Sequence, residues 1–304
     1  MRPQQTHLNL LINEAFGIQP CDAREYSEGT FGIVWEALLP SEPRRVIVKW
    51  QKSIGRGLLE KRQLEELRKY SVVKVPEVYY YHAATDDLPF DALVMEYIEG
   101  VPASEIDDPE HDAAERLAHD LVDILLSWHT VRNPLGYGDL DGPYYQKWTD
   151  HYGKRIAIYH STLHSMGNAA PVAMLDMADS AADITEDVLG SRCDQAVLIH
   201  SDFWLPNILV DPYTLQVTGV IDPLDAEWAD RELDLILVDW PWGDPHYILN
   251  LYQQRFPLDA GFPLRYAFYE FWYAMQTFIR AGWRTDENDK RVIAALRNAI
   301  NRYL

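Results

Sequence analysis

Residues 196–222, AVLIHSDFWLPNILVDPYTLQVTGVID, decide how the rest of the chain is read. The apolar run 196–199 reads as a strand that delivers His200, Asp202 and Asn207 into one loop, and the hairpin after it delivers Asp222 at the end of a second strand. Phosphoryl transfer needs these types of side chain. One carboxylate accepts or orients a hydroxyl proton, while an amide oxygen and a second carboxylate hold Mg²⁺ on the phosphates. The transition state is loose, so positioning and charge neutralisation carry most of the catalysis. From average residue usage, His-x-Asp-x-x-x-x-Asn turns up somewhere in a chain of this size with a probability of roughly 1–2%. The strand before it, the hairpin after it and Asp222 beyond outweigh the alternative, a polar turn in which Asp and Asn serve only as turn formers.

Toward the amino terminus, the stretch 24–39, REYSEGTFGIVWEALL, reads as two apolar strands around a turn centred on Gly29 and Gly32. A Pro-bearing turn, SEPRR, leads to the β-branched run Val46, Ile47, Val48 and then Lys49. Within 58–70, Leu59, Leu64 and Leu67 stand near helical spacing with charges between them. Pro76 breaks the chain before two further strands, 78–81 and 92–95. The first eighteen residues form an amphipathic pattern with Leu8, Leu11, Ile12 and Phe16 on one side, without the apolar stretch and cleavage site of a secretory signal.

From about residue 98 the pattern turns helical. A long amphipathic stretch, 113–130, precedes a Gly/Pro-rich loop at 133–143. Helical patterns follow at 145–164 and 171–189 and, beyond the strand-rich insert, at 231–240, 247–256, 264–281 and 286–303. The expected architecture is α+β, with a small β-rich nucleotide-binding lobe over 1–97, a larger and mostly helical catalytic and substrate-binding lobe over 98–304, and a boundary near 96–100.

The run HSDFWLPN followed by VIDPLDAEWADRELDL resembles the aminoglycoside phosphotransferase and fructosamine kinase superfamily. That resemblance implies a protein-kinase-like two-lobed fold that uses ATP and Mg²⁺. By the same likeness Asp202 matches the catalytic base, Asn207 and Asp222 the metal-binding positions, and His200 the histidine that braces the loop. Asp234 resembles a buried aspartate that anchors the loop from a following helix, and Ser201 stands where Gly is most common. In the amino-terminal part, EGTFG at 28–32 looks like a shortened glycine-rich loop. Gly29 and Gly32 would let backbone N–H groups approach phosphate, with Thr30 between them and Phe31 capping the tip. Val34 resembles the residue that packs on adenine, and Lys49 matches the strand lysine that pairs with the α- and β-phosphates. Glu60 is the first choice for its carboxylate partner, with Glu65 and Glu66 as rivals. The hinge falls at Met95, Glu96, Tyr97 and Ile98, whose backbone would meet adenine.

The carboxy-terminal half leans toward the fructosamine kinases. GYGDLDGPYYQKWTDHYGKRI at 136–156, IDP at 221–223, ADRELDL and FPLDAGF at 256–262 all resemble stretches of that group. The aminoglycoside enzymes more often have Trp or Phe after the metal aspartate, where this chain has Pro223.

The 304 residues carry 27 Lys and Arg against 47 Asp and Glu, a formal net charge of −20. That balance argues against nucleic acid and anionic membrane as partners, and it would suit a cationic substrate. No apolar run is long enough to cross a bilayer, and Cys21 and Cys193 lie far apart without metal-ligand spacing, which suits a reduced, cytoplasmic chain. Other clusters have plainer readings. His160 and His164 have the i,i+4 spacing that can ligate zinc, with His151 on the same stretch, but no acidic or Cys partner accompanies them at metal spacing. Trp240, Trp242, Trp272 and Trp283, with Tyr266, Tyr269 and Tyr273, could stack on a sugar ring but at helical spacing read as core. Asp239, Asp244 and Glu270 are candidate carboxylates for a substrate amine, and Asp225, Glu227 and Asp230 for support of the metal site.

The chain therefore reads as an ATP-dependent O-phosphotransferase acting on a hydroxyl of a small molecule, of which a sugar-derived amine, a ketosamine or an aminoglycoside-like compound, leads. The alternatives are a kinase of another metabolite alcohol (choline, homoserine or macrolide type) and a catalytically silent nucleotide-binding module. A silent member would normally have lost Lys49, Asp202, Asn207 or Asp222, and all four are present. A protein kinase fits less well, because no Ala-Pro-Glu stretch or long activation segment follows Asp222.

Overall fold

The computed structural model describes residues 2–190, 195–238 and 240–304. Cys193 and Asp239 lie outside the described residues, and Cys21 is a free, exposed thiol. In chain order the elements are α1 (Gln5–Phe16), β1 (Asp22–Glu28), β2 (Gly32–Leu38), β3 (Arg45–Gln51), α2 (Arg56–Tyr70), β4 (Val78–His82), β5 (Ala92–Glu96), β6 (Val101–Pro102), α3 (His111–His129), α4 (Trp148–Ser165), α5 (Val172–Asp183), α6 (Thr185–Leu189), β7 (Val197–Ile199), β8 (Ile208–Val210), β9 (Val217–Val220), β10 (Glu227–Ala229), α7 (Glu232–Leu235), α8 (Tyr247–Arg255), α9 (Phe262–Ala281) and α10 (Asp286–Tyr303). Contacts divide the chain into two compact units. One comprises residues up to Ser127 with Asp202–Asp225, and the other Trp128–Ser201 with Ala226–Leu304. This division differs from the 1–97 and 98–304 lobes expected from sequence, since the hairpin after Asp202 packs with the amino-terminal part.

The first unit is built on an antiparallel sheet of order β1-β2-β3-β5-β4. Its apolar positions alternate. Val46, Val48 and Trp50 of β3 join Leu8, Leu11 and Ile12 of α1 in one buried cluster, so the amphipathic amino-terminal helix seals one sheet face. The period of two turns Lys49, between Val48 and Trp50, to the opposite face. A second sheet of order β6-β8-β9 carries the Asp202–Asp222 segment.

The second unit is mostly helical, with one strand pair, β7 with β10. Buried aromatic side chains form its centre. The Trp148 indole N–H donates to the Tyr269 hydroxyl (2.8 Å), which donates to Asp230 (2.7 Å), so the polar ends of these rings are paired inside the core. Trp240, Trp272 and Tyr269 are buried, which fits the core reading, whereas Trp283 is exposed. Two helical expectations need revision. The stretch 171–189 breaks at Ile184 into α5 and α6. Among the described residues of 231–240, only Glu232–Leu235 is helical, and Glu232 pairs twice with Arg265 (2.7 and 2.8 Å).

Candidate active site

Lys49, Glu60, Asp202, Asn207 and Asp222 all belong to the first unit. Lys49 and Glu60 are buried, and their ammonium and carboxylate meet at 2.8 Å. The second Glu60 oxygen accepts from the Gln51 amide (2.8 Å), which leaves that carboxylate little freedom to turn. Glu65 and Glu66 pair with Lys61 and Lys69 on the surface of α2, so Glu60 is the partner of the strand lysine. The Lys49 ammonium also ion-pairs with Asp222. Burial works to lower the Lys49 pKa, but Asp222 and then Glu60 outweigh it and hold the group above its ordinary value. The lysine is therefore a fixed cation.

Asn207 lies in the turn before β8. Its Nδ2 donates to the Asp202 backbone oxygen and to Asp202 Oδ2, both at 2.9 Å, and reaches the Asp222 carbonyl at 3.4 Å. One buried amide thus holds the predicted base and the predicted metal carboxylate in register. Asp222 has φ 58°, a left-handed backbone uncommon for a non-glycine residue. Its side chain is 52% exposed.

In the second unit, Asp234 accepts from the backbone N–H groups of His200 (2.8 Å) and Ser201 (2.6 Å), the two residues that precede Asp202. His129 Nε2 lies 3.1 Å from the same carboxylate, and its Nδ1 lies 2.8 Å from the Tyr252 hydroxyl. Asp234 is wholly buried and is satisfied by those donors. His200 is also buried and stacks on Trp128 with ring centroids 5.6 Å apart. It has the surroundings of a bracing group, with the ring away from solvent.

The glycine-bearing turn closes with the Gly29 N–H donating to the Gly32 carbonyl (2.9 Å). A Cβ on Gly32 would come within 2.8 Å of the Trp50 carbonyl, so β3 itself requires glycine there. Thr30 and Phe31 are half-buried, and Val34 stands opposite Lys49 across β2 and β3. Ile98 is buried. The Glu96 side chain pairs with Lys74 (2.9 Å) and Arg68 (3.2 Å), and its backbone N–H donates to the Glu77 carbonyl (2.8 Å). That N–H is therefore taken within the sheet edge.

Sequence reasoning missed Arg56. Its guanidinium lies over the Phe31 ring (4.8 Å), donates to the Leu224 carbonyl (2.9 Å) and approaches Asp225 (3.8 Å), tying the glycine turn to the segment after Asp222. Lys52 was missed as well; it donates to the Gly29 carbonyl at 2.8 Å. Nothing in the local pattern of either residue distinguishes it from a surface cation. Two residues expected near the metal have other work. Glu227 is buried against His151 and Arg155, both at 2.7 Å, and Asp230 receives Tyr269. Glu270 pairs with Arg291 (2.6 Å), and Asp244 accepts from the His246 N–H (2.9 Å).

Residues 44–269 match the family described as "Phosphotransferase enzyme family". Among curated proteins, the chain is 25% identical over 222 residues to "Uncharacterized protein YcbJ" of Escherichia coli K12, covering 71% of this chain and 72% of that one. It is 26% identical over 231 residues to a "Probable ketoamine kinase" of Klebsiella aerogenes, covering 72% and 73%. The crystal structure of a "Putative fructosamine-3-kinase" from Haemophilus somnus superposes with a TM-score of 0.73 at 17% identity, over 96% of both chains. The fold is accordingly protein-kinase-like, as the catalytic-loop resemblance implied. No helix among the described residues is long and apolar enough to cross a membrane. The match spans both the Lys49–Glu60 pair and the Asp202–Asp222 segment, and the chain belongs to the phosphotransferase enzyme family.

Proposed function

We propose that the protein transfers the γ-phosphoryl group of ATP to a hydroxyl of a sugar-derived amine, with ketosamines as the leading substrate class. The observation that carries this reading is the Asn207 amide, which joins Asp202 to the backbone of Asp222 in the unit that also holds Lys49 and Glu60. The Asp202 carboxylate would accept the hydroxyl proton as the new O–P bond forms and the bond from phosphorus to the departing ADP oxygen breaks. Lys49, oriented by Glu60, would meet the α- and β-phosphates as a permanent cation. The donor set fits Mg²⁺. With Nδ2 of Asn207 taken up by Asp202, its carbonyl Oδ1 and the half-exposed Asp222 carboxylate are hard oxygen donors. Mg²⁺ held there would neutralise phosphate charge.

The ketosamine preference is supported by the stretches 136–156 and 221–223, and by relatives whose names carry ketoamine or fructosamine kinase. A small molecule rather than nucleic acid or membrane, and a cytoplasmic setting, complete the proposal. It is tested by ADP release with ATP·Mg²⁺ against ketosamines, aminoglycosides and small amino alcohols, with Asp202→Ala as control. Turnover on ketosamines supports the stated class, and turnover confined to aminoglycosides replaces it with the resistance-type reading. Absence of Asp202-dependent turnover on the whole panel overturns the substrate assignment.

A further inference from the structure

His160 and His164 sit one turn apart on α4, and α5 brings Asp179 against both. His160 Nε2 lies 2.6 Å and His164 Nε2 2.7 Å from the same Asp179 oxygen, with the two imidazole centroids 4.6 Å apart. Two ring nitrogens and one carboxylate oxygen thus converge from two neighbouring helices, all in the second unit. We propose that His160, His164 and Asp179 form a binding site for a divalent cation of the zinc class, which clips α4 to α5.

Imidazole nitrogen with one carboxylate is the donor set of Zn²⁺, Co²⁺, Ni²⁺ and Cu²⁺; Mg²⁺ and Ca²⁺ prefer all-oxygen sets. A tetrahedral ion with ligands at about 2.0–2.2 Å sets neighbouring ligand atoms about 3.3 Å apart. Each N···O separation then has to widen by about 0.6 Å, a small rotation for exposed side chains. Three protein ligands leave a fourth position for water. Hydrogen bonds alone are a weak reason for this arrangement. The side chains are 32%, 44% and 52% exposed, where screened pairs return little for the rotamer freedom they fix.

The second cluster of this kind, Asp139 with His151 and Glu227, differs in the feature that matters. Arg155 Nη2 already lies 2.7 Å from the Glu227 oxygen that His151 reaches, so a cation of the protein's own fills that place. Among the described residues no such cation meets Asp179, whose carboxylate faces His160 and His164. The i,i+4 histidine pair is legible in the sequence; the third ligand, fifteen residues beyond His164 on another helix, is not.

The test uses the full chain, stripped of metal with a chelator that is then removed, without nucleotide or Mg²⁺. Co²⁺ is followed by its visible absorption and Zn²⁺ by calorimetry. The wild type is expected to bind one equivalent that is lost, or weakened at least about tenfold, in both His164→Ala and Asp179→Asn. Asn207→Ala, altered in the candidate nucleotide site, should keep it. Zn²⁺ should also raise the melting temperature of the wild type and leave that of the two variants unmoved. The proposal is overturned if the wild type binds no equivalent, or if the equivalent survives both substitutions. Each readout is independent of kinase activity, so failure here leaves the proposed reaction standing.

Discussion

Asp222 and Asp234 lie twelve residues apart in the chain, and their surroundings are opposed. The Asp222 carboxylate is 52% exposed, stands on a left-handed backbone and has Lys49 as its ion-pair partner. Asp234 is wholly buried and accepts from two backbone N–H groups while facing His129. In the proposed reaction Asp222 would exchange its lysine for a metal and a nucleotide, and a carboxylate with that task needs access to solvent and replaceable contacts. One that fixes backbone needs every donor in place before substrate arrives, because a buried unpaired group is costly. The difference separates residues whose loss should act on rate or ligand affinity from those whose loss should act on stability.

Asp202 belongs with Asp222 in this contrast, and it carries the largest expected effect. Asp202→Ala should lower kcat by a factor on the order of 10³ or more while ATP binding and the melting temperature stay near the wild type. Near-normal turnover would remove Asp202 from the chemistry. Asp234→Ala should do the reverse and cost about 3–5 kcal/mol in urea unfolding, since it strands the His200 and Ser201 N–H groups and the buried His129. Should that variant fail to accumulate, Asp234→Asn keeps one acceptor and should be measurably milder. A loss below about 1 kcal/mol in Asp234→Ala would erase the contrast. Asp222→Ala comes next, with ATP affinity in excess Mg²⁺ falling about tenfold or more. Its stability should change little, because Lys49 keeps Glu60. Unchanged nucleotide affinity would deny Asp222 a metal role.

What could be foreseen from sequence follows the same division. His200, Asp202, Asn207 and Asp222 are close in the chain, so strand and hairpin patterns placed them in one segment, and the alternation along β3 separated Lys49 from its core neighbours. The likeness to the family's helix made Glu60 the first choice but left Glu65 and Glu66 open, and it took their surface pairs with Lys61 and Lys69 to decide between them. Arg56 and Asp179 were invisible because their roles come from tertiary neighbours: Phe31 and Leu224 for one, the α4 histidines for the other. The short α7 was overestimated because the apolar spacing runs on to residue 240, while among the described residues of that stretch only Glu232–Leu235 is helical.

The smallest effect lies at the seam between the two kinds of residue. Ser201 has φ 67°, a region that favours glycine, and its N–H donates to Asp234 at 2.6 Å. A left-handed backbone costs a residue with a Cβ about 1–2 kcal/mol. Glycine removes that cost but gives back about 0.5–1 kcal/mol through the greater freedom of its unfolded chain. Ser201→Gly should therefore stabilise the protein by about 0.5–1 kcal/mol, read as a higher urea midpoint at unchanged slope. The backbone N–H that Asp234 holds is kept, so kcat should move less than about twofold. A lower midpoint would mean that the serine side chain supports the loop more than its backbone strains it, and the anchoring region would then extend one residue closer to the base.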